Sequence, residues 1–280
     1  MFEIRAVSFR DPDAPAAFTR SLRETGFAVL KDHPIAPERI EEAYRLWGAF
    51  FASDEKAAFT VEPPSPEGYF PFRSENAKGS PTKDLKEFFQ VYPSTALPEG
   101  PAAATRALYD DLVVLGVTML GWIEDNTPED VRARFAEPLP DMLRGSEMSM
   151  LRILHYPAQE GALPEAGATR AAAHEDINLI TLLLAGSAPG LEAQDNEGRW
   201  HEVPCDPGMI AVNTGDMLEL ASGGYYPSTT HRVVNPPEGT GGPRFSMPMF
   251  VHPRPEVMLS ADKSADAYLK ERLREIGLAG

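Results

Sequence analysis

Apolar residues recur at helical spacing in the first half of the chain and at strand spacing through most of the second. Over Pro37 to Ala52, Ile40, Tyr44, Trp47 and Phe51 advance by steps of four, three and four, which puts them on one side of a helix. Ala103 to Glu124 repeats the pattern with Leu108, Leu112, Leu115, Met119 and Trp122, and a shorter helix over Ala14 to Thr25 precedes a predicted strand at Phe27 to Leu30. Both long stripes read as core rather than as cofactor contacts. From Met148 onward, short apolar runs are broken by Gly, Pro, Asn and Asp, the texture of an antiparallel barrel or jelly roll. Strands are predicted at Met150 to Tyr156, Ile177 to Leu184, Leu191 to Gln194, Met209 to Val212, Met217 to Leu220, Thr230 to Val234 and Arg244 to Val251, with a last helix from Ala261 to Ile276. No repeat or low-complexity linker divides the chain. The expectation is one unit over 1–280: a helix-rich region (1–147) layered on a β-core (148–255), then a C-terminal helix (256–280).

Composition narrows what such a fold could do. With 280 residues, 42% hydrophobic, there is enough chain for a core that encloses a cavity, and 27 prolines and 22 glycines favour many turns. A formal net charge of -16 repels phosphate backbones and anionic membrane surfaces, so neither nucleic acid nor lipid headgroups are expected partners. An anionic small molecule would need a local cationic anchor. The start Met1-Phe2-Glu3-Ile4-Arg5 lacks the basic, apolar run of a signal peptide, and no later stretch reaches membrane-spanning length; a cytoplasmic protein is expected. Cys205 is the only cysteine, which rules out an internal disulfide and multi-cysteine metal or cluster sites. It reads as a small buried apolar residue.

Candidate chemistry gathers in the second half. On an extended chain, side chains two apart point to the same side, so His174 and Asp176 of His174-Glu-Asp176 converge. A histidine from a distant strand would complete a two-histidine, one-carboxylate face that leaves metal positions open, and His231 is the candidate. A His-x-Asp triplet by itself occurs in many surface loops. Thirteen positions beyond His231, Arg244 and Ser246 again share one face of an apolar strand. A buried guanidinium there needs an anionic partner, supplied either by a protein carboxylate or by a ligand.

In order and spacing, these segments resemble the isopenicillin N synthase-like family of 2-oxoglutarate and iron(II)-dependent oxygenases. The likeness runs through Leu151-Arg-Ile-Leu-His-Tyr-Pro157, His174-Glu-Asp-Ile-Asn-Leu-Ile-Thr-Leu-Leu183, Pro189-Gly-Leu191 with Trp200, Val212-Asn-Thr-Gly-Asp-Met217, Ser228-Thr-Thr-His-Arg-Val233 and Arg244-Phe-Ser246. A weaker likeness extends upstream through Gly26-Phe27, Phe50-Phe51, Lys56, Gly68-Tyr69 and Asp84-Leu-Lys-Glu87. The resemblance implies a double-stranded β-helix with Fe(II) on His174, Asp176 and His231. It also implies that Arg244 and Ser246, with Tyr156, hold the distal carboxylate of 2-oxoglutarate, and that a small-molecule substrate is oxidised, most simply by hydroxylation, with release of succinate and CO2. Two positions depart from the family: Leu154 stands where plant relatives have an Asn, and Asn178 where a glycine is usual. The segment Tyr69 to Tyr92 would border the substrate side, with Tyr69, Phe70, Lys86, Glu87 and Phe89 as candidates.

Three rivals stay open: an oxidase of the same family that needs no 2-oxoglutarate, a non-catalytic ligand-binding protein, and a zinc hydrolase on the same three ligands. The C-terminal glutamine that marks isopenicillin N synthase itself has no counterpart, since the only glutamines are Gln90, Gln159 and Gln194. His33, His201 and His252 read as surface or hydrogen-bonded structural residues. His155 should face away from the side that Tyr156 faces. Glu175 is expected in solvent or in a salt bridge, and Asp216 in a turn bonded to neighbouring backbone.

Overall fold

The structure, a computed structural model, describes residues 2–60, 65–75, 83–158, 169–235 and 242–275. Its strands are β1 (Ala6–Ser8), β2 (Phe27–Lys31), β3 (Gly68–Phe70), β4 (Glu87–Val91), β5 (Met150–Tyr156), β6 (Ala171–His174), β7 (Ile180–Leu184), β8 (Leu191–Gln194), β9 (Trp200–Glu202), β10 (Ile210–Thr214), β11 (His231–Val233) and β12 (Arg244–Val251). An eight-stranded sheet runs β1-β2-β10-β7-β12-β5-β4-β3, and a four-stranded sheet runs β6-β11-β8-β9. All pairings between these strands are antiparallel except β1 with β2. With the fold relatives given below, this is the double-stranded β-helix, or jelly roll, with helices outside it.

Helices α1 (Ala14–Thr25), α2 (Pro37–Phe51) and α3 (Glu99–Asp125) cover one face of the large sheet, and the single turn α4 (Glu129–Arg132) follows α3. Alternation on the strands decides what they meet. Leu151 and Ile153, Ile180, Leu182 and Leu184, and Met247, Met249 and Val251 join the core built on the helical stripes. The intervening residues turn to the small sheet. Trp47 is fully buried, and its indole N–H donates to Thr105 Oγ1 (2.9 Å), so the α2–α3 contact leaves no polar atom of that ring unpaired. Between the sheets lies a second apolar cluster of Phe27, Val29, Leu191, Ala193, Ala211 and Val233. β10 is buried along its whole length because both its faces are covered.

Several predicted elements differ from the observed ones. Met217 to Leu220 is not a strand but part of helix α5 (Asp216–Ser222), entered from extended Gly215 and ended by Gly223 in the left-handed region (φ 65°). Four residues could not distinguish the two periods, and the flanking glycines cap a helix. The strand expected from Ile177 starts only at Ile180, and the tail helix α6 (Ala265–Glu275) starts four residues later than Ala261; Ile276 lies outside the described residues. Asp216 does not close a turn: it opens α5 and accepts from the Tyr268 hydroxyl on α6 (3.1 Å). Burial pushes its carboxyl up despite that partner and Arg272. The N-terminal half also contributes more than helices, because β1 to β4 extend the large sheet at both edges.

Candidate active site

His174 is the last residue of β6, not the first of a strand run. The chain then leaves the small sheet for the large one, and Asp176 sits in that crossing. What brings Asp176 to His174 is therefore tertiary. Its carbonyl accepts from the backbone of Asp216 (2.8 Å), and its Oδ2 accepts from Thr181 Oγ1 (2.5 Å) and Asn213 Nδ2 (2.8 Å). Asn178 in turn donates to Thr181 Oγ1 (2.9 Å). A Cβ at Gly215 would lie 2.3 Å from the Asn178 carbonyl oxygen and 2.8 Å from that of Asp176, so this crossing passes over a position that only glycine accommodates.

His231, on the central strand of the small sheet, lies directly opposite His174. The nearest metal-binding atoms of His174, Asp176 and His231 all lie within 4.8 Å of one another. Asp176 Oδ1 is 3.9 Å from His174 Nε2 and 3.8 Å from His231 Nε2. Nδ1 of His174 faces the Ala172 carbonyl (2.8 Å), and Nδ1 of His231 faces that of Thr229 (3.0 Å). A carbonyl accepts only, so each Nδ1 is the donor and Nε2 is the ring atom left to face the cavity. Burial, and then the charge of His231, lower His174 to about 4, which keeps it unprotonated at neutral pH. Burial alone would push Asp176 up, but the two histidines, Asn213 and Thr181 outweigh it and the carboxylate is favoured. Two imidazoles with Nδ1 held by a carbonyl and one carboxylate oxygen, each oriented from behind, suit a divalent metal such as iron(II).

The same cavity extends along β12 and β5. Arg244, Ser246, Pro248 and Phe250 alternate onto it from β12, and Tyr156, Leu154 and Arg152 from β5. Arg244 is 2% exposed; its Nε donates to the Ala188 carbonyl (2.9 Å) and its Nη1 to Ser246 Oγ (3.2 Å). Among the described residues no carboxylate pairs with it, so the protein salt bridge that could have explained this arginine is not what the structure shows. Leu154, where plant relatives have an Asn, adds a buried apolar wall. Asn178 is wholly buried under the Asp176 carboxylate rather than in the cavity wall.

β4 splits the candidates of the substrate-side segment. Lys86 lines the cavity, with its ammonium on Asp84 and Glu75 (2.9 Å each), and Glu75 also meets Arg152 (3.1 Å). Phe88 packs on Leu154 and Tyr156 from the same side, and Phe70 packs partly buried against that cluster. Phe89, by contrast, is fully buried against Trp47 and Phe50 on the helical side, and Tyr69 lies in that same core. Glu87 is also turned away, accepting from Lys56 Nζ (3.0 Å), the Tyr69 hydroxyl (2.5 Å) and His155 Nδ1 (2.7 Å). Tyr69, Glu87 and Phe89 are therefore not cavity residues. Residues three apart on a strand, as Lys86 and Phe89 are, face opposite sides. His155 does face away from Tyr156, and Glu175 is exposed, accepting from Thr230 Oγ1 (2.7 Å).

Thr181, Asn213, Gly215, Glu75 and Arg152 were not singled out from sequence. The available signal was a polar residue inside an otherwise apolar strand, as in Ile180-Thr-Leu-Leu-Leu184 and Ile210-Ala-Val-Asn213.

The profile described as the 2OG-Fe(II) oxygenase superfamily matches residues 147–253, and that described as the N-terminal region of non-haem dioxygenases in morphine synthesis matches residues 7–111. A crystal structure of an oxygenase from Shewanella oneidensis is 45% identical with a TM-score of 0.89, over 98% of this chain and 99% of that one. The chain belongs to the 2OG-Fe(II) oxygenase superfamily. A family protein of known structure from Caulobacter crescentus is 31% identical (TM-score 0.78, 98% and 99% covered). A proline hydroxylase of Petromyces alliaceus is 30% identical over 266 residues, 85% of this chain and 80% of its own. This oxygenase is accordingly a 2-oxoglutarate-dependent Fe(II) dioxygenase that takes a small-molecule substrate and O2. Among the described residues, no helix is long and apolar enough to cross a membrane.

Proposed function

We propose that His174, Asp176 and His231 hold the iron of this oxygenase, that Arg244 and Ser246, with Tyr156, hold the distal carboxylate of 2-oxoglutarate, and that a small molecule bound toward Phe250 is hydroxylated. One observation carries the reading: a single cavity presents a donor triad with its lone pairs free and, on the next strands, a buried guanidinium that no described carboxylate pairs. When bound, iron and 2-oxoglutarate together reduce O2, with succinate and CO2 as coproducts, and supply the oxidising equivalent for a C–H bond.

The protein's part is placement. Thr181 and Asn213 hold Asp176 Oδ2, so Oδ1 is the oxygen offered to the metal. The Ala172 and Thr229 carbonyls keep both histidines in the tautomer that presents Nε2. Arg244 and Phe250 are six residues apart on β12, on the order of 20 Å of extended strand, so cosubstrate and substrate approach the metal from opposite ends. The substrate end combines the aromatic face of Phe250 with Arg152, whose guanidinium carbon lies 5.6 Å from the centre of that ring, a wall suited to a small molecule bearing a polar group. The similarity to a proline hydroxylase supports hydroxylation as the outcome. With a net charge of -16, the reading includes no nucleic acid and no membrane surface as partner, and a cytoplasmic location.

The test is product analysis by mass spectrometry, using a metabolite library with Fe(II), O2 and 2-oxoglutarate. Succinate should form in step with a product heavier by one oxygen, and Asp176→Ala should lose both along with iron binding. Full iron occupancy and turnover in Asp176→Ala would refute the ligand set. Product formed at full rate without any 2-oxo acid would refute the role given to Arg244.

A further inference from the structure

Arg244 is not the only buried arginine at its end of the cavity. Arg170, immediately before β6, is 2% exposed and ranks among the largest fully buried side chains. Its Nη2 donates to the Gly242 carbonyl (2.9 Å), while its Nε is buried without a hydrogen-bond partner. Among the described residues it has no ion pair. Its guanidinium carbon lies 5.9 Å from the centre of the Tyr156 ring, and that of Arg244 lies 5.2 Å from the same centre. Tyr156 and Arg244 are direct partners in the β5–β12 ladder.

Two guanidinium ions thus flank one tyrosine ring inside the protein. A buried charge without a counter-ion costs several kcal/mol, and a second charge of the same sign nearby adds to that cost. The ring face offsets only part of it. Burial, and next the Arg244 charge, both pull the Arg170 guanidinium down from its ordinary value, the direction expected for two cations sharing one site. Arg170 is not among the residues that wall the cavity; it lies against Tyr156, which is, and next to Ala171, which is too.

We infer that Arg170 is a second cationic positioning residue of the cosubstrate site, packing on Tyr156 and adding its charge to the field that draws the distal carboxylate of a 2-oxo diacid to Arg244. The inference rests on the assignment of that carboxylate to Arg244. An entering carboxylate offsets one charge and screens the repulsion between the two, so binding recovers part of the cost of burying them. The residue acts through the ring and through the field, and its effect belongs to cosubstrate affinity rather than to the oxidation step.

The experiment is calorimetric titration of 2-oxo acids into the metal-loaded protein without O2, comparing the unmodified protein with Arg170→Met, Arg170→Lys and Arg244→Met. Arg170→Met should weaken 2-oxoglutarate about tenfold, and Arg170→Lys, which keeps the charge, should stay within about threefold. 2-Oxopentanoate has the same keto-acid head and no distal carboxylate, so it should bind Arg170→Met and the unmodified protein alike. With no cosubstrate present, Arg170→Met should unfold at no lower temperature than the unmodified protein, because two like charges are no longer buried beside one ring. In turnover, KM for 2-oxoglutarate should rise while kcat at saturation changes by less than about twofold. Unchanged 2-oxoglutarate affinity in Arg170→Met overturns the inference. So does equal weakening of both acids with a lower unfolding temperature, which is the result of a packing role. If Arg244→Met also leaves 2-oxoglutarate binding unchanged, the anchoring assignment fails; if only Arg244→Met weakens it, the assignment stands and Arg170 is excluded.

Discussion

At His174, Asp176 and His231, the proposed metal ligands, the atoms turned away from the cavity determine what the atoms facing it can do. Each histidine gives its Nδ1 proton to a carbonyl two residues earlier in its own chain segment, that of Ala172 on β6 and that of Thr229 just ahead of β11, so local backbone orients both rings. Asp176 has no such local help and depends on side chains from β7 and β10. Thr181→Val removes one of its two side-chain donors at nearly constant volume. Metal affinity should then fall by roughly 10- to 100-fold with the fold retained, read by calorimetric metal titration; unchanged affinity would show that Asn213 alone orients the carboxylate. Arg244 is the counterpart at the cosubstrate end. A charge-assisted bond contributes about 1.5–3 kcal/mol, so Arg244→Met should weaken 2-oxoglutarate on the order of ten-fold to several hundred-fold. Metal binding should stay intact, because none of its three donors touches Arg244.

At the level of the element, β4 shows how one strand serves two purposes. Lys86, just ahead of it, and Phe88 look into the roll, while Glu87 and Phe89 look toward the helices. Phe89→Ala should therefore act on stability, by about 3–5 kcal/mol as for other buried aromatics, measured by denaturant unfolding, and leave substrate preference unaltered. Lys86→Gln should instead act in the cavity, shifting KM for the prime substrate in steady-state kinetics, since its side chain lines that space rather than the helical core. A changed substrate preference in Phe89→Ala would mean that the two faces have been assigned the wrong way round. The α5 helix makes a related point. Its first turn returns backbone N–H groups of Asp216 and Met217 to the carbonyls of Asp176 and Asn178, so a short helix that was read as a strand proves to be part of the support for the metal site.

Across the whole molecule, the charged groups beside the cavity tie stability to pH. Burial by itself would push the Glu75 carboxyl up, but Arg152 and Lys86 reverse this and hold it at about 2, against an ordinary value of 4.5. A carboxyl depressed on folding stabilises the native state above its unfolded pKa, and that contribution is lost as pH falls from about 4.5 toward 2. The full amount is at most about 3 kcal/mol. Burial also lowers His252 to about 4 from 6.5, so the unfolded chain takes up its proton first and stability already declines as pH falls from 6.5 to 4. Chemical denaturation between pH 8 and 3 should show a decline that begins near 6.5. Glu75→Gln should flatten the part below about 4.5, and a profile with the same slope there in both proteins would remove Glu75 from the account.

Periodicity and motif spacing were sufficient for much of this protein. A step of four, three and four placed Ile40, Trp47 and Phe51 against the sheet, and alternation placed Arg244 and Ser246 together and His155 apart from Tyr156, because side-chain direction in helices and strands is a local property of the backbone. The order in which the family's segments follow one another was legible as well, and it pointed to the three candidate ligands. Local rules could not show that His174 ends a strand, that Asp176 lies in a crossing between sheets, or that Asp216 opens a helix. Those outcomes depend on which distant carbonyl or hydroxyl is in reach: Asp216 N for Asp176, Thr181 and Asn213 for its carboxylate, and only glycine at 215 where the two segments cross. The partners of the arginines were likewise decided in three dimensions. A chain of 280 residues with 42 acidic side chains offers a counter-ion for any arginine on paper, and only the packed structure shows that none of the described ones pairs with Arg244 or Arg170. Charge pairing depends on distance after folding, which sequence separation does not encode.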